Sequence, residues 1–179
     1  KYKAIVIGDS NAGKSTLIQR ITTGKFVEDI PETVGTEFFS KRFDNRVINL
    51  WDTLGQEKFV SKTLVAQFYR KTDIAIIVVN LNDQSSYQNV TFWKNELEKY
   101  SQKQAFVLVG TKHDLTQEVT NEAMSEMANA LGIQFFKVSS KTGHGIDDLV
   151  KHLETMKIES TQEESVVKKN TQQQQKGCC

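Results

Sequence analysis

Gly8-Asp9-Ser10-Asn11-Ala12-Gly13-Lys14-Ser15 follows the apolar run Ala4-Ile5-Val6-Ile7 and leads into Thr16-Leu17-Ile18-Gln19-Arg20-Ile21. Strand, then G-x-x-x-x-G-K-S, then helix is the context in which this spacing makes a phosphate-binding loop. The glycines let backbone N–H groups turn inward onto anionic oxygens. The helix that follows points its partial positive charge at the same place. Ser10, Asn11, Ala12, Gly13, Lys14, Ser15 and Thr16 are the expected nucleotide contacts of this segment. Lys14 reaches the β- and γ-phosphates, and the Ser15 hydroxyl ligates Mg²⁺. The octet implies a nucleoside triphosphate and leaves the base open.

A length of 179 residues predicts one domain, and 38% hydrophobic with 25% charged residues fits a globular protein with a core. The formal net charge of +1 offers no basic field for nucleic acid. Apolar runs such as Ile74-Ala75-Ile76-Ile77-Val78-Val79 are too short to span a bilayer. The chain enters a strand almost at once, so no signal peptide is expected. The two cysteines are Cys178 and Cys179, and His113, His144 and His152 have no metal-ligand spacing with them. Neither a disulfide framework nor a zinc site is therefore expected, and a reducing cytosol is the predicted compartment.

Apolar runs of strand length alternate with helix-patterned stretches. Strands are predicted over residues 2–7, 37–43, 46–51, 74–79, 105–109 and 134–138, with Asp44-Asn45 as a hairpin turn. Helices are predicted over 14–23, from a Ser85 or Ser86 cap through the stripe Val90, Trp93, Leu97 and Tyr100, from Thr120 with Ala123, Met127, Ala130 and Leu131 inward, and over 146–156. The stripe reads as core packing. Residues 25–35 form a long loop, and 56–70 are polar with apolar positions at helical spacing. The fold class is α/β: a six-stranded, mostly parallel sheet with one antiparallel strand and helices on both faces. Ligands on such sheets sit at the carboxyl ends of the strands.

Asp52 ends an apolar strand and can hold Mg²⁺ opposite the phosphate loop. Gly55 brings its N–H to the γ-phosphate, where a side chain would intrude, and Gln56 orients the attacking water. Thr33 is a candidate second Mg²⁺ hydroxyl, with Thr22, Thr23 and Thr36 competing on spacing alone.

Taken together, G-D-S-x-x-G-K-S, T-V-G, W-D-T-x-G-Q-E, x-K-x-D and S-x-K resemble, in order, the motifs of the Ras-like small GTPases. The resemblance covers residues 1 to about 158. Gly8-Asp9-Ser10, Trp51-Asp52-Thr53, Phe68-Tyr69-Arg70 and the terminal Cys178-Cys179 look most like a Rab. The resemblance implies a G domain over 1–158, and it assigns Thr33 as the Mg²⁺ and γ-phosphate ligand.

Gly110-Thr111-Lys112-His113-Asp114 is the segment expected to read the base. A buried Asp114 carboxylate accepts from guanine N1–H and its exocyclic amine; adenine leaves it unpaired, a rejection on the order of 10⁴-fold. The Lys112 stem covers the base plane. Ser139-Ser140-Lys141 resembles the third guanine loop, with the Ser140 N–H on O6 and Lys141 packed on the base. Phe26 matches the aromatic that closes the other face.

The chain departs from the family pattern in places. Thr111 replaces the usual Asn, which implies a lost contact to the base and to the phosphate loop. Asn11 and Ala12 stand where Rabs mostly have Gly and a larger aliphatic residue, and Asn tolerates left-handed dihedrals. Leu54 adds bulk beside Gln56, and residues 59–69 run about two residues longer than the Rab pattern.

The expected function is a Rab-type GTP/GDP switch in membrane trafficking that hydrolyses GTP slowly with Mg²⁺, Gln56 and Lys14 being catalytic. Effectors, an exchange factor and a GTPase-activating protein engage residues near 30–38 and 55–70. Residues 159–179 are a flexible tail, and Cys178 and Cys179 resemble a double-cysteine geranylgeranylation site. That site implies a GDP-dissociation inhibitor or escort protein, and a monomer cycling from cytosol to endomembranes by its lipids. The alternative is a prenylated guanine-nucleotide-binding scaffold with impaired hydrolysis, favoured by Leu54.

Overall fold

Ile74–Asn80 is buried at all seven positions, so it must lie inside a sheet with cover on both faces. A computed structural model of the chain describes residues 1–28, 30, 31, 33, 36–53 and 62–158. In order these form β1 (Tyr2–Ile7), α1 (Lys14–Thr23), β2 (Glu37–Arg42), β3 (Val47–Asp52), α2 (Lys62–Tyr69), β4 (Ile74–Asn80), α3 (Gln84–Gln88), α4 (Val90–Glu98), β5 (Ala105–Thr111), α5 (Asn121–Leu131), β6 (Gln134–Lys137) and α6 (Ile146–Thr155). The six strands lie in the order β2-β3-β1-β4-β5-β6. Only β2 runs antiparallel to its neighbour; the other pairings are parallel. The sheet is the one expected, hairpin included: the Phe43 N–H donates to the Arg46 carbonyl across Asp44-Asn45 at 2.8 Å.

Alternation along β1 divides the core in two. Ala4 and Val6 join Leu17, Ile18, Leu50, Ile76, Leu149 and Leu153, beneath α1 and α6. Ile5 and Ile7 join Tyr69, Ile77, Trp93, Leu97, Leu108 and Met124, beneath α2, α4 and α5. Each buried Val, Leu, Ile or Met among them contributes about 1.5–3 kcal/mol by leaving water. No helix among the described residues is long and apolar enough to cross a membrane.

Two local expectations need correction. Neither serine caps α3. The Asp83 carboxylate accepts from the Ser85 N–H at 2.9 Å and takes the Ser85 hydroxyl as well, while the Ser86 hydroxyl accepts from the Asn80 N–H at 3.0 Å. The helix also breaks at Asn89, so the predicted single helix is two. On α5 the Thr120 hydroxyl does cap the helix. Met124 and Ala128 are its buried seam, with Ala123, Met127 and Leu131 half-buried; Ala130 lies beyond the stripe and is exposed.

β1 ends at Gly8, whose φ is +146° and whose missing Cβ would lie 2.3 Å from the Val78 carbonyl oxygen. Gly24 at the end of α1 also has positive φ (+73°) but faces open space. Gly24→Ala is therefore expected to cost only the backbone strain, about 1 kcal/mol. Gly8→Ala adds a backbone clash and is expected to cost at least about twice that. Urea unfolding of the two variants checks the ranking; equal midpoints would refute it.

Candidate functional site

The carboxyl ends of β1, β3, β4, β5 and β6 open onto one edge of the sheet, and the predicted residues sit there. The loop after β1 turns through Asn11 at φ +60° and Gly13 at φ +88°. Asn11 thus holds the left-handed conformation that its side chain tolerates. The Ala12 N–H donates to the Asp9 carbonyl at 3.2 Å. Lys14 is buried, and its ammonium donates to the Gly8 and Asp9 carbonyls at 3.0 and 2.9 Å. The cation is held at the loop by acceptors that anionic oxygens can replace.

Next to it lies an oxygen cluster. Ser15 Oγ and Thr33 Oγ1 are 2.9 Å apart, and Thr33 Oγ1 donates to Asp52 Oδ2 at 3.0 Å. Asp52 is fully buried, and its Oδ1 has no hydrogen-bond partner. Such an orphan is costly unless a cation or donor meets it. One carboxylate with two hydroxyls suits a hard dication such as Mg²⁺. Among the described residues no group of three or more His, Cys, Asp or Glu side chains offers a metal site. Thr22 and Thr23, which competed with Thr33 on spacing, turn their hydroxyls back onto the Ile18 and Gln19 carbonyls of α1.

On the other side of the loop is a cleft of about 300 Å³. Its walls include Asn11, Gly13, Thr16, Phe26, Thr111, Lys112, Asp114, Ser140 and Lys141, all expected. Glu28 and Leu115 complete it and were not expected. The Lys141 ammonium lies 3.9 Å from the Glu28 carboxylate, and Leu115 is half-exposed beside Asp114. An apolar residue exposed next to a specificity carboxylate was the available signal for Leu115; Glu28 had none.

Asp114 is exposed, not buried as the specificity argument assumed. It lines the mouth of the cleft, so the base itself is the group that would cover it. Its Oδ1 accepts from the Ser139 hydroxyl at 2.5 Å, and Ser139 is fully buried. The serine loop thereby orients the carboxylate. The Lys112 ammonium donates to the Asn11 carbonyl at 2.8 Å. Burial lowers the Lys112 pKa, opposed by the charges of Asp83 and Asp114. His113, next in the chain, also has a lowered pKa, from burial first and then from Lys137 and His144, with Asp114 opposing.

Thr111 corrects an expectation. Its hydroxyl faces the Ala12 carbonyl at 2.6 Å and the Val79 carbonyl at 3.1 Å. The tie from this position to the phosphate loop therefore survives the replacement of Asn by Thr.

Asp9 was missed. Its Oδ1 accepts from Trp93 Nε1 at 2.7 Å, and its Oδ2 from Asn89 Nδ2 at 2.6 Å. Trp93 reads from its spacing as core, and nothing local marks its N–H as a donor to residue 9. Ser10 is exposed at the tip of the loop. Leu54, Gly55, Gln56, Cys178 and Cys179 lie outside the described residues, as do the longer stretch up to residue 61 and the tail from 159.

Comparison with known proteins gives the family. The Ras family model matches residues 3–159. The Ras-related protein RabC of Dictyostelium discoideum is 33% identical over 193 aligned positions, covering 99% of this chain and 97% of that one. The Ras-related protein RIC1 of Oryza sativa subsp. japonica is 35% identical over 153, covering 82% and 75%. By these matches the chain belongs to the Ras family of small GTPases, guanine-nucleotide-binding GTP hydrolases, and is Rab-like within it.

Proposed function

We propose that this GTPase is a Rab-type switch in membrane trafficking, with Mg²⁺ as its metal. The observation that carries the reading is the continuity of the site: the base cleft, the phosphate loop and the Ser15–Thr33–Asp52 cluster adjoin along the strand ends. Asp114 selects guanine, Lys112 and Phe26 flank it, and Ser140 and Lys141 close the cleft. Ser15, Thr33 and Asp52 would hold the Mg²⁺, which would supply charge neutralisation to the phosphates.

Hydrolysis is positioning plus electrostatics. Lys14 exchanges the Gly8 and Asp9 carbonyls for β- and γ-phosphate oxygens. Gly55 donates its N–H to the γ-phosphate, and Gln56 orients water. No arginine is assigned to the γ-phosphate from within this chain, so turnover alone is slow; an arginine supplied by an activating partner adds about 10³–10⁵-fold. Thr33 belongs to both the metal cluster and the loop before β2, so loss of the γ-phosphate releases that loop.

The partner face adjoins it. Phe38 is 55% exposed and stands edge-on to Trp51 at 5.4 Å, and Trp51 lies 6.5 Å from Phe68. An aromatic row that is exposed at Phe38 and half-buried at Trp51 and Phe68, next to the loop that carries Thr33, suits effectors, an exchange factor and an activating protein. Attachment to endomembranes runs through prenylated Cys178 and Cys179 at the end of a tether of residues 159–179, and a GDP-dissociation inhibitor or escort protein receives the same lipids. The unit acts as a monomer in this reading, and the Rab type itself is supported by the similarity to the Ras-related protein RabC.

Asp114→Ala removes two charge-assisted hydrogen bonds to guanine. GDP affinity is expected to fall on the order of 100-fold with little change in thermal midpoint; unchanged affinity in a nucleotide-displacement titration would refute the assignment. Chelating Mg²⁺ should speed GDP release from the native chain at least about tenfold, a dication on phosphate being worth several kcal/mol. Asp52→Asn should release GDP at the fast rate with or without Mg²⁺, and a retained Mg²⁺ response would exclude Asp52 as the anchor.

A further inference from the structure

We propose that Asp9 is a positioning residue of the phosphate loop, fixed from behind by Trp93 and Asn89. The inference rests on the reading that residues 8–15 receive the nucleotide phosphates.

A carboxylate in a loop that binds anions needs a physical reason. Turned toward the phosphates it would repel them, and left free it would swing the loop with it. In this chain both of its oxygens are taken by neutral donors on the neighbouring helix. Trp93 Nε1 donates to Oδ1 at 2.7 Å and Asn89 Nδ2 to Oδ2 at 2.6 Å. Bonds to an ionised acceptor are short and strong, and these two approach different oxygens, so they fix the orientation of the carboxylate.

The donors are themselves immobile. Trp93 is 1% exposed and wedged edge-on against Phe92 at 5.2 Å. Asn89 is at once the C-cap of α3 and the N-cap of α4, so neither donor shifts without moving a helix. The main chain of Asp9 is held as well. Its carbonyl accepts from the Ala12 N–H at 3.2 Å, which closes the turn of the loop, and from the Lys14 ammonium at 2.9 Å. Gly8, one residue back, is pinned against the Val78 carbonyl. Asp9 is therefore held at its side chain and at its neighbour. Its carbonyl, in turn, closes the turn on the Ala12 N–H and sets the plane of the amides that follow, and it holds the lysine until phosphate takes its place. Releasing the carboxylate lets this peptide rotate and blurs the cradle, without touching the base cleft.

The chain's own helix thus contributes to phosphate affinity from outside the nucleotide site. A plain packing role predicts lower stability and unchanged discrimination among ligands; a positioning role predicts a selective loss for ligands that fill the loop. GDP and GMP separate the two, because GMP lacks the β-phosphate that the loop cradles.

The full chain with Mg²⁺ is compared with Trp93→Phe, which keeps an aromatic ring and removes the N–H, and with Asp9→Asn, which keeps the shape and loses one acceptor. GDP affinity is expected to fall about tenfold in both, with GMP affinity changed less than twofold. The double variant should be no worse than Asp9→Asn alone by more than about twofold, since the two residues act through one contact. Because Trp51 and Trp93 are the only tryptophans, Trp51→Phe gives an optical reading as well. Its remaining emission should change on adding GDP, and Asp9→Asn should remove that change. Equal proportional losses for GDP and GMP, or none, overturn the inference whatever happens to the thermal midpoint. If the native chain itself holds no GDP, the phosphate-loop reading fails first; if it holds GDP and the variants match it, only the role of Asp9 falls.

Discussion

The Val78 carbonyl oxygen occupies the space that any side chain at residue 8 would need, at 2.3 Å from where its Cβ would be. With φ at +146°, the chain can leave β1 against β4 only through a glycine. Everything chemical in the molecule is placed by that tight exit. It lays the loop of residues 8–15 across the ends of the two central strands. Lys14 is brought over the Gly8 and Asp9 carbonyls, and Ser15 beside Thr33 and Asp52. Parallel strands then bring Asp52, Thr111 and Ser139 to the same edge, because each follows or ends a strand running in one direction.

The edge is held together by polar contacts that connect the binding elements to each other. Thr111 reaches Ala12, Lys112 reaches Asn11, and Ser139 reaches Asp114. Side-chain contacts thus join the loop after β1, the loop after β5 and the serine loop after β6, and none of the three involves the Asp9 carboxylate. This is how a divergent sequence keeps the site. Thr supplies the tie to Ala12 where the family usually has Asn, and Asn11 supplies the left-handed backbone where it usually has Gly.

The central strands were legible as runs, since residues buried on both faces have no polar alternation to confuse them. The caps were less so. Asp83, Ser85 and Ser86 all carry suitable oxygens, and the choice went to Asp83 because Ser86 is used by the Asn80 N–H and Ser85 donates to Asp83. Thr33 could not be separated from Thr22, Thr23 and Thr36 by spacing, because the residues it meets lie 18 and 19 residues away on other elements. The family resemblance chose it, and the structure sets its hydroxyl between Ser15 and Asp52. Glu28 and the Asp9–Trp93 bond, which joins residues 84 apart, are tertiary facts with no local trace. The exposure of Asp114 is of the same kind: its chemistry is readable from the motif, and its setting at the mouth of the cleft is not.

This edge of the sheet is proposed as a guanine-nucleotide site. Its most direct test is the identity of the nucleotide that the protein carries through purification in the presence of Mg²⁺, released by denaturation and identified by mass spectrometry. Bound GDP or GTP is the predicted result. Bound adenine nucleotide in its place would contradict the roles given to Asp114, Ser140 and the cleft between them.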